Sequence, residues 1–231
     1  MKDTIQVLII QFQNEIKQSE IPLFRGAVIN SVKEKNNVLY HNHIDDSFNY
    51  TYPKIQYKRI RGKAAIVCIE DGTEAIGEFF SVNSHQFQLG ERIINIEVDS
   101  IHPINYRVQA WQTLFHYRIN RWLPLNSINY KLYMELEGLL EKIKFLEKIL
   151  TANLLSFAKG IELHIDSEIQ CQLTQLSEPY LVVHKGIKLM SFNIEFKTNL
   201  SIPNYIGIGK SASLGYGIIT QIKKDVNKNN I

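Results

Sequence analysis

Apolar residues crowd the stretch from Thr4 to Phe12, where Ile5, Val7, Leu8, Ile9, Ile10 and Phe12 form a short, β-branched run that predicts a strand. The period then changes. Ile21-Pro22, followed by Leu23, Phe24, Ala27, Val28 and Val32, predicts a helix over 21–34 with proline in its first turn. Two short strands are expected at 54–60 and 64–70, joined by the hairpin connection Arg61-Gly62-Lys63. Asp71-Gly72-Thr73 opens a second helix through Ala75, Ile76, Phe79 and Phe80, capped by Asp71 or Thr73. Ile93, Ile94, Ile96 and Val98 predict a closing strand over 92–99. The order β-α-β-β-α-β is that of the split βαβ, or ferredoxin-like, unit.

The second half is less regular. Leu132, Leu136, Leu139, Ile143, Leu146, Leu150, Leu154 and Phe157 lie three or four apart, predicting one long helix over 127–158 with a single buried stripe. Pro124 and Asn126-Ser127 supply its start and Gly160 its stop. Strands are expected at about 161–175, 179–198 and 216–223. A helix followed by late strands suits a second, degenerate copy of the first unit, although no sequence repeat connects the halves. The expected fold is α+β, two ferredoxin-like (RRM-like, βαββαβ) domains in tandem, at 1–100 and 101–231.

Composition narrows the class without naming a function. Of 231 residues 45% are apolar and 21% charged, enough to build a core without disulfides or metals, which excludes disordered, collagen-like and disulfide-scaffold readings. Cys68 and Cys171 form no Cys-x-x-Cys pair and are expected to be small buried hydrophobes. The N-terminal apolar stretch is too short and too mixed for a signal peptide, and no run reaches membrane-spanning length, so a cytoplasmic protein with no membrane partner is expected.

The net charge of +3 permits nucleic-acid binding without arguing for it, but the local distribution is uneven. Lys54, Lys58, Arg59, Arg61 and Lys63 face no acid across 54–63. Residues 100–134 lack Asp and Glu and interleave Arg107, Arg118, Arg121 and Lys131 with seven aromatics, Tyr106, Trp111, Phe115, Tyr117, Trp122, Tyr130 and Tyr133. Six lysines stand against Glu195 between residues 179 and 224. Bases among aromatics suit RNA, because phosphates attract cations and unstacked bases need flat partners; a solvated hairpin face with aromatics that fill a core is the competing reading.

Between the first helix and the second strand lies Leu39-Tyr40-His41-Asn42-His43-Ile44-Asp45-Asp46-Ser47-Phe48-Asn49-Tyr50, polar and dense in proton-moving groups. Histidines two apart point the same way in an extended segment, and imidazoles titrate near neutrality, so one can take a proton while the other gives one. RNA cleavage through its own 2′-hydroxyl needs such a pair, plus a cation for the phosphorane oxygens. Lys54, Lys58 and Arg59 follow in sequence, Tyr50 could donate a hydrogen bond, and no metal or cofactor is demanded. His41 and His43 as zinc ligands with Asp45 or Asp46, or as incidental surface histidines, remain open at this point. His85, His102, His116, His164 and His184 are isolated in sequence and receive no role.

Near the C-terminus, Gly207, Gly209, Gly215 and Gly217 are four of twelve glycines, with Lys210, Ser211 and Ser213 between them. Such a segment can bring backbone amides close to phosphate. A Walker A loop is excluded because Asn204 stands where glycine is required, and a dinucleotide fingerprint lacks the chain for a following βαβ unit. What remains is a glycine loop on a phosphate backbone or β-turn glycines at a sheet's end.

Gly-x-Gly…Gly-Tyr-Gly near the C-terminus, with Leu23-Phe24-Arg25-Gly26, Leu39-Tyr40-His41-Asn42-His43 and Tyr52-Pro53-Lys54-Ile55-Gln56-Tyr57-Lys58, resembles the repeat-associated (RAMP) superfamily of CRISPR proteins. Within it the resemblance is to the CRISPR repeat-processing endoribonucleases that mature guide RNA. The resemblance implies paired ferredoxin-like folds and metal-independent cleavage within the repeat, leaving 5′-hydroxyl and 2′,3′-cyclic phosphate ends. It implies catalysis by His43, supported by His41 and Tyr50. RNA contacts would come from Lys54, Lys58, Arg59 and Arg61 of the hairpin and Gly207, Gly209, Lys210, Ser211, Gly215 and Gly217 of the loop. The implied partner is CRISPR repeat RNA; other CRISPR effector subunits and a homodimer are left open. A non-catalytic RNA-binding subunit of a CRISPR effector complex is the alternative, and a metal-dependent nuclease a third.

Overall fold

The computed structural model of the chain describes residues 4–32, 38–41, 52–81 and 86–223. The first unit runs β1 (Thr4–Glu15), α1 (Ile21–Ser31), a single turn α2 (Val38–His41), β2 (Ile55–Ile60), β3 (Lys63–Ile69), the short helices α3 (Asp71–Ala75) and α4 (Gly77–Phe80), the small hairpin β4 (Gln86–Leu89) and β5 (Arg92–Asn95), and β6 (Val98–Arg107). Its sheet has the order β2-β3-β1-β6, every pair antiparallel. That is the ferredoxin-like order.

The expected strand at 92–99 divides in two. Arg92–Asn95 leaves the sheet to pair with Gln86–Leu89, and the sheet's own strand continues to Arg107. Strand β6 lies at an edge and is mostly exposed, with Ile101 and Ile104 in solvent and Pro103 tolerated there, so it carries no alternating pattern.

The second unit runs β7 (Ala110–Trp122), α5 (Ser127–Glu135), α6 (Leu139–Gly160), β8 (Cys171–Leu176), β9 (Tyr180–His184), β10 (Ile187–Leu200) and β11 (Ile218–Gln221). Its sheet order, β11-β7-β10-β8, places its first, second, third and fourth strands as in the first sheet, with β9 added as a hairpin arm on β10. The copy is degenerate because no helix joins β10 to β11; the glycine-rich segment takes that place.

The single helix expected over 127–158 is broken. Leu136 and Gly138 adopt extended backbone, and the Gly138 N–H donates to the Glu141 carboxylate at 3.4 Å, starting α6 afresh. Glycine disfavours helix interiors by about 1 kcal/mol, and the apolar stripe is not continuous: Leu139 is exposed, while Leu146, Leu150, Leu154 and Phe157 are buried. The strand expected at 161–175 begins only at Cys171, and that at 179–198 is the β9–β10 hairpin turning at Lys185-Gly186.

Each face of the first sheet belongs to a different core. Ile10, Phe12, Ile66 and Cys68 face α1 and α4, from which Phe24 and Phe79 respectively meet Phe12 edge-on. Ile5, Val7, Ile9, Ala65 and Val67 face the second unit and join Tyr117, Ile119, Trp122, Leu150, Leu154 and Phe157 in one continuous core. The two sheets are therefore held together by apolar burial. The aromatics of 100–134 divide accordingly: Tyr117, Trp122 and Tyr133 are buried, while Trp111 and Tyr130 are exposed. Cys68 is buried, Cys171 only partly, and burial raises both thiols, the latter to about 12, which leaves them unreactive. Among the described residues no helix is long and apolar enough to cross a membrane.

Candidate nucleic-acid interface

The outer edge of β2 would leave backbone groups unpaired, and the glycine-rich segment covers it. Tyr57 pairs in parallel with Leu214, its N–H donating to the Ser213 carbonyl at 2.8 Å. Beside this seam the Gly207 N–H donates to Gln56 Oε1 at 2.8 Å, and the Tyr52 hydroxyl to the Gly207 carbonyl at 2.8 Å. Gln56 Nε2 donates in turn to Tyr52 Oη and to the Pro53 carbonyl, both at 2.9 Å.

The glycines explain how the segment fits. A Cβ at Gly207 would lie 2.7 Å from the Ala212 carbonyl and 2.9 Å from that of Tyr216. Gly217 has φ +62°, and a Cβ there would run into the Ile208 carbonyl. Gly207, Gly215 and Gly217 are buried, Gly209 and Ser211 half-buried, and Lys210 exposed. Of these glycines the buried ones let protein backbone approach protein backbone, and the solvent face of the loop is around Lys210.

The hairpin bases also separate. Arg61 is exposed at the turn. Arg59 Nε donates to the Ile16 carbonyl at 2.6 Å. Lys54 is paired with Asp71 at 2.6 Å. Lys58, named above among the RNA contacts, is fully buried, its Nζ donating to the Ala212 carbonyl at 3.3 Å. It points at the seam because both faces of β2 are covered.

Burial pushes the Lys58 ammonium down to about 7 from an ordinary 10.5. Between those values the unfolded chain binds the extra proton, so this group's penalty is complete below pH 7 and disappears as pH rises toward 10.5. Lys58→Met removes the titration. Its melting temperature relative to wild type is therefore expected to fall steadily as pH is raised from 6 to 10, and a difference independent of pH would contradict a buried titrating amine.

Of the candidate catalytic residues, His43 and Tyr50 lie outside the described residues; His41 closes α2 by its backbone, and its side chain is likewise outside them. The tyrosines on either side are described. Tyr40 is buried and donates to the Ala75 carbonyl at 2.7 Å. Tyr52 stacks edge-on against Phe157 at 5.2 Å and meets Gly160, where a Cβ would collide with its ring. Burial raises both phenols well above the usual tyrosine range, so they serve as anchors rather than acids. Nothing local in the sequence marks Tyr52 and Gln56 for this role, because their partner, Gly207, is some 150 residues away. His184, isolated in sequence, is not isolated in space: its Nε2 lies 2.9 Å from Ser211 Oγ.

Two family models match the chain, one described as the Cas6b N-terminal domain over residues 3–106 and one as the Cas6b C-terminal domain over 109–222. The uncharacterized protein MJ0978 of Methanocaldococcus jannaschii is 32% identical over 149 residues, covering 59% of this chain and 100% of that protein. A crystal structure of Cas6b superposes with TM-score 0.83 at 24% identity, over 95% of this chain and 100% of that one. A crystal structure of the CRISPR RNA processing endoribonuclease Cas6b gives TM-score 0.72 at 21% identity with the same coverage. At these identities the structures show a shared fold.

Proposed function

Since the chain belongs to the Cas6b family through both of its halves, we propose that it is an endoribonuclease that cuts CRISPR precursor RNA within the repeat. The 2′-hydroxyl beside the scissile phosphate attacks in line, forming the O2′–P bond as the bond to the 5′ oxygen breaks. The products carry a 2′,3′-cyclic phosphate and a 5′-hydroxyl. His43 moves the essential proton, with His41 and Tyr50 in support, and no metal takes part. One imidazole accepts the 2′ proton and the other protonates the leaving oxygen, a division of labour open to two groups that titrate near neutrality. Exposed Lys210 and Arg61 contribute charge toward the RNA backbone.

The observation that carries this reading is the His41-Asn42-His43 motif on a chain matched in both halves by one family. Incubation of the purified chain with a transcript of several repeats and spacers tests it. Fragments one repeat–spacer unit long are expected. RNA held tightly but left intact, with or without added metal, would instead make the chain a binding subunit.

A further inference from the structure

The second unit holds a cationic cluster of which the reading above uses only Lys210, in the glycine-rich segment; Arg121, His184 and Lys185 have no role in it. Along the β7–β10 ladder, Ile119 faces Ile194 and Trp122 faces Phe192, so Asn120 and Arg121 together oppose the single residue Asn193. The result is a β-bulge at Arg121, whose φ of +55° is rarely adopted by a non-glycine residue. Both of its backbone groups are held: its N–H donates to Asn193 Oδ1 at 2.9 Å, and its carbonyl accepts from Gly217 N–H at 3.1 Å.

The bulge lays the Arg121 guanidinium over the Tyr216 ring, 5.1 Å from its centroid, with Nε buried and without a hydrogen-bond partner. His184 meets the same ring edge-on at 5.3 Å and reaches Ser211 Oγ at 2.9 Å. Ser211 has φ +60°. Lys185 and Lys210, the chain neighbours of His184 and Ser211, are exposed. Besides burial, both lysines lower the His184 pKa, which places their charge at the cluster. Among the described residues no carboxylate pairs with Arg121, Lys185 or Lys210. Three residues at positive φ, Arg121, Lys185 and Ser211, thus help gather three cations without a counter-ion, an arrangement that repels itself until an anion enters.

We propose that Arg121 completes, with Lys210 and Ser211 of the glycine-rich segment, a subsite for one phosphate of the RNA backbone, with His184 positioning the Ser211 hydroxyl and Lys185 adding charge at the rim. With the proton on Nε2, His184 donates to Ser211 Oγ and leaves the hydroxyl proton for an anionic oxygen. Arg121 offers a planar fork suited to two phosphate oxygens. The subsite rests on the RNA-processing reading above and adds a specific contact to it.

The test is fluorescence anisotropy of the full-length protein with a labelled, fully 2′-O-methylated repeat RNA, which lacks the attacking hydroxyl, over a series of salt concentrations. Arg121→Gln and Lys210→Gln are each expected to weaken binding about tenfold and to reduce the slope of log affinity against log salt by about one. Lys148→Gln on α6 removes the same charge outside the cluster and is expected to stay within about twofold. Lys210 is exposed, so its variant keeps the test informative even where Arg121→Gln fails to fold. Wild type that binds and cuts repeat RNA, with Lys210→Gln and folded Arg121→Gln unchanged in affinity and slope, overturns the subsite alone. Wild type that binds no repeat RNA overturns the functional reading and the subsite with it.

Discussion

Replacing His43 with alanine is expected to slow single-turnover cleavage of repeat RNA by about 10²–10⁴-fold, the usual contribution of a positioned general acid or base. At neutral pH the 2′-hydroxyl is too weak an acid to give up its proton without a base, and the 5′ oxygen is too basic a leaving group to depart without receiving one from an acid. An imidazole is the side chain whose ordinary pKa lies closest to that task. His41→Ala is expected to share part of the loss, and Tyr50→Phe less, because a phenol supplies a hydrogen bond rather than a proton at neutral pH. Affinity for the RNA should hold in all three, since the cations remain. Cleavage within threefold of wild type in both histidine variants would remove the proposed mechanism from this segment.

Gly217→Ala is expected to destabilise the fold by about 3 kcal/mol or more, since its new methyl meets the Ile208 carbonyl and its backbone keeps φ +62°. The neighbourhood cannot give way cheaply. Gly217 N–H donates to the Arg121 carbonyl at 3.1 Å, and its own carbonyl accepts from Ile208 N–H at 3.0 Å. For a chain of this size the loss corresponds to roughly 6–12 °C in melting temperature. Gly26→Ala is the control: nothing lies within 4 Å of a Cβ there, and its place inside α1 makes alanine neutral or stabilising by up to about 1 kcal/mol. An unchanged melting temperature for Gly217→Ala would mean that the loop is not seated against Ile208 as described.

The first unit was legible because its strands alternate between two apolar environments. Ile5, Val7 and Ile9 face one core and Ile10 and Phe12 the other, so the chain reads as strand whichever face is counted. Strand β7 was hidden. Its first half is exposed and its aromatics alternate with bases, a pattern that fits an RNA surface as well as a core strand; Tyr117 and Trp122 are core. The break between α5 and α6 turned on Gly138, whose effect a continuous count of leucines overrides. The buried polar seam of Tyr52, Gln56, Lys58 and Gly207 joins residues some 150 positions apart, and no local period encodes such partners. For the same reason Lys58 read as a surface base, and His184 as solitary. The His41–His43 motif was legible in the sequence because spacing two apart is a local signal, while its geometry lies outside the described residues.

The central claim, metal-independent cleavage through the 2′-hydroxyl, is tested most directly by mapping the ends of the products. Purified protein and repeat RNA are incubated in excess EDTA, and the 3′ end of the upstream fragment is examined by mass and by its resistance to phosphatase before acid treatment. The account predicts one cut in the repeat, with a 2′,3′-cyclic phosphate upstream and a 5′-hydroxyl downstream. Cleavage that requires added divalent metal, or that leaves a 5′-phosphate and a 3′-hydroxyl, would contradict it.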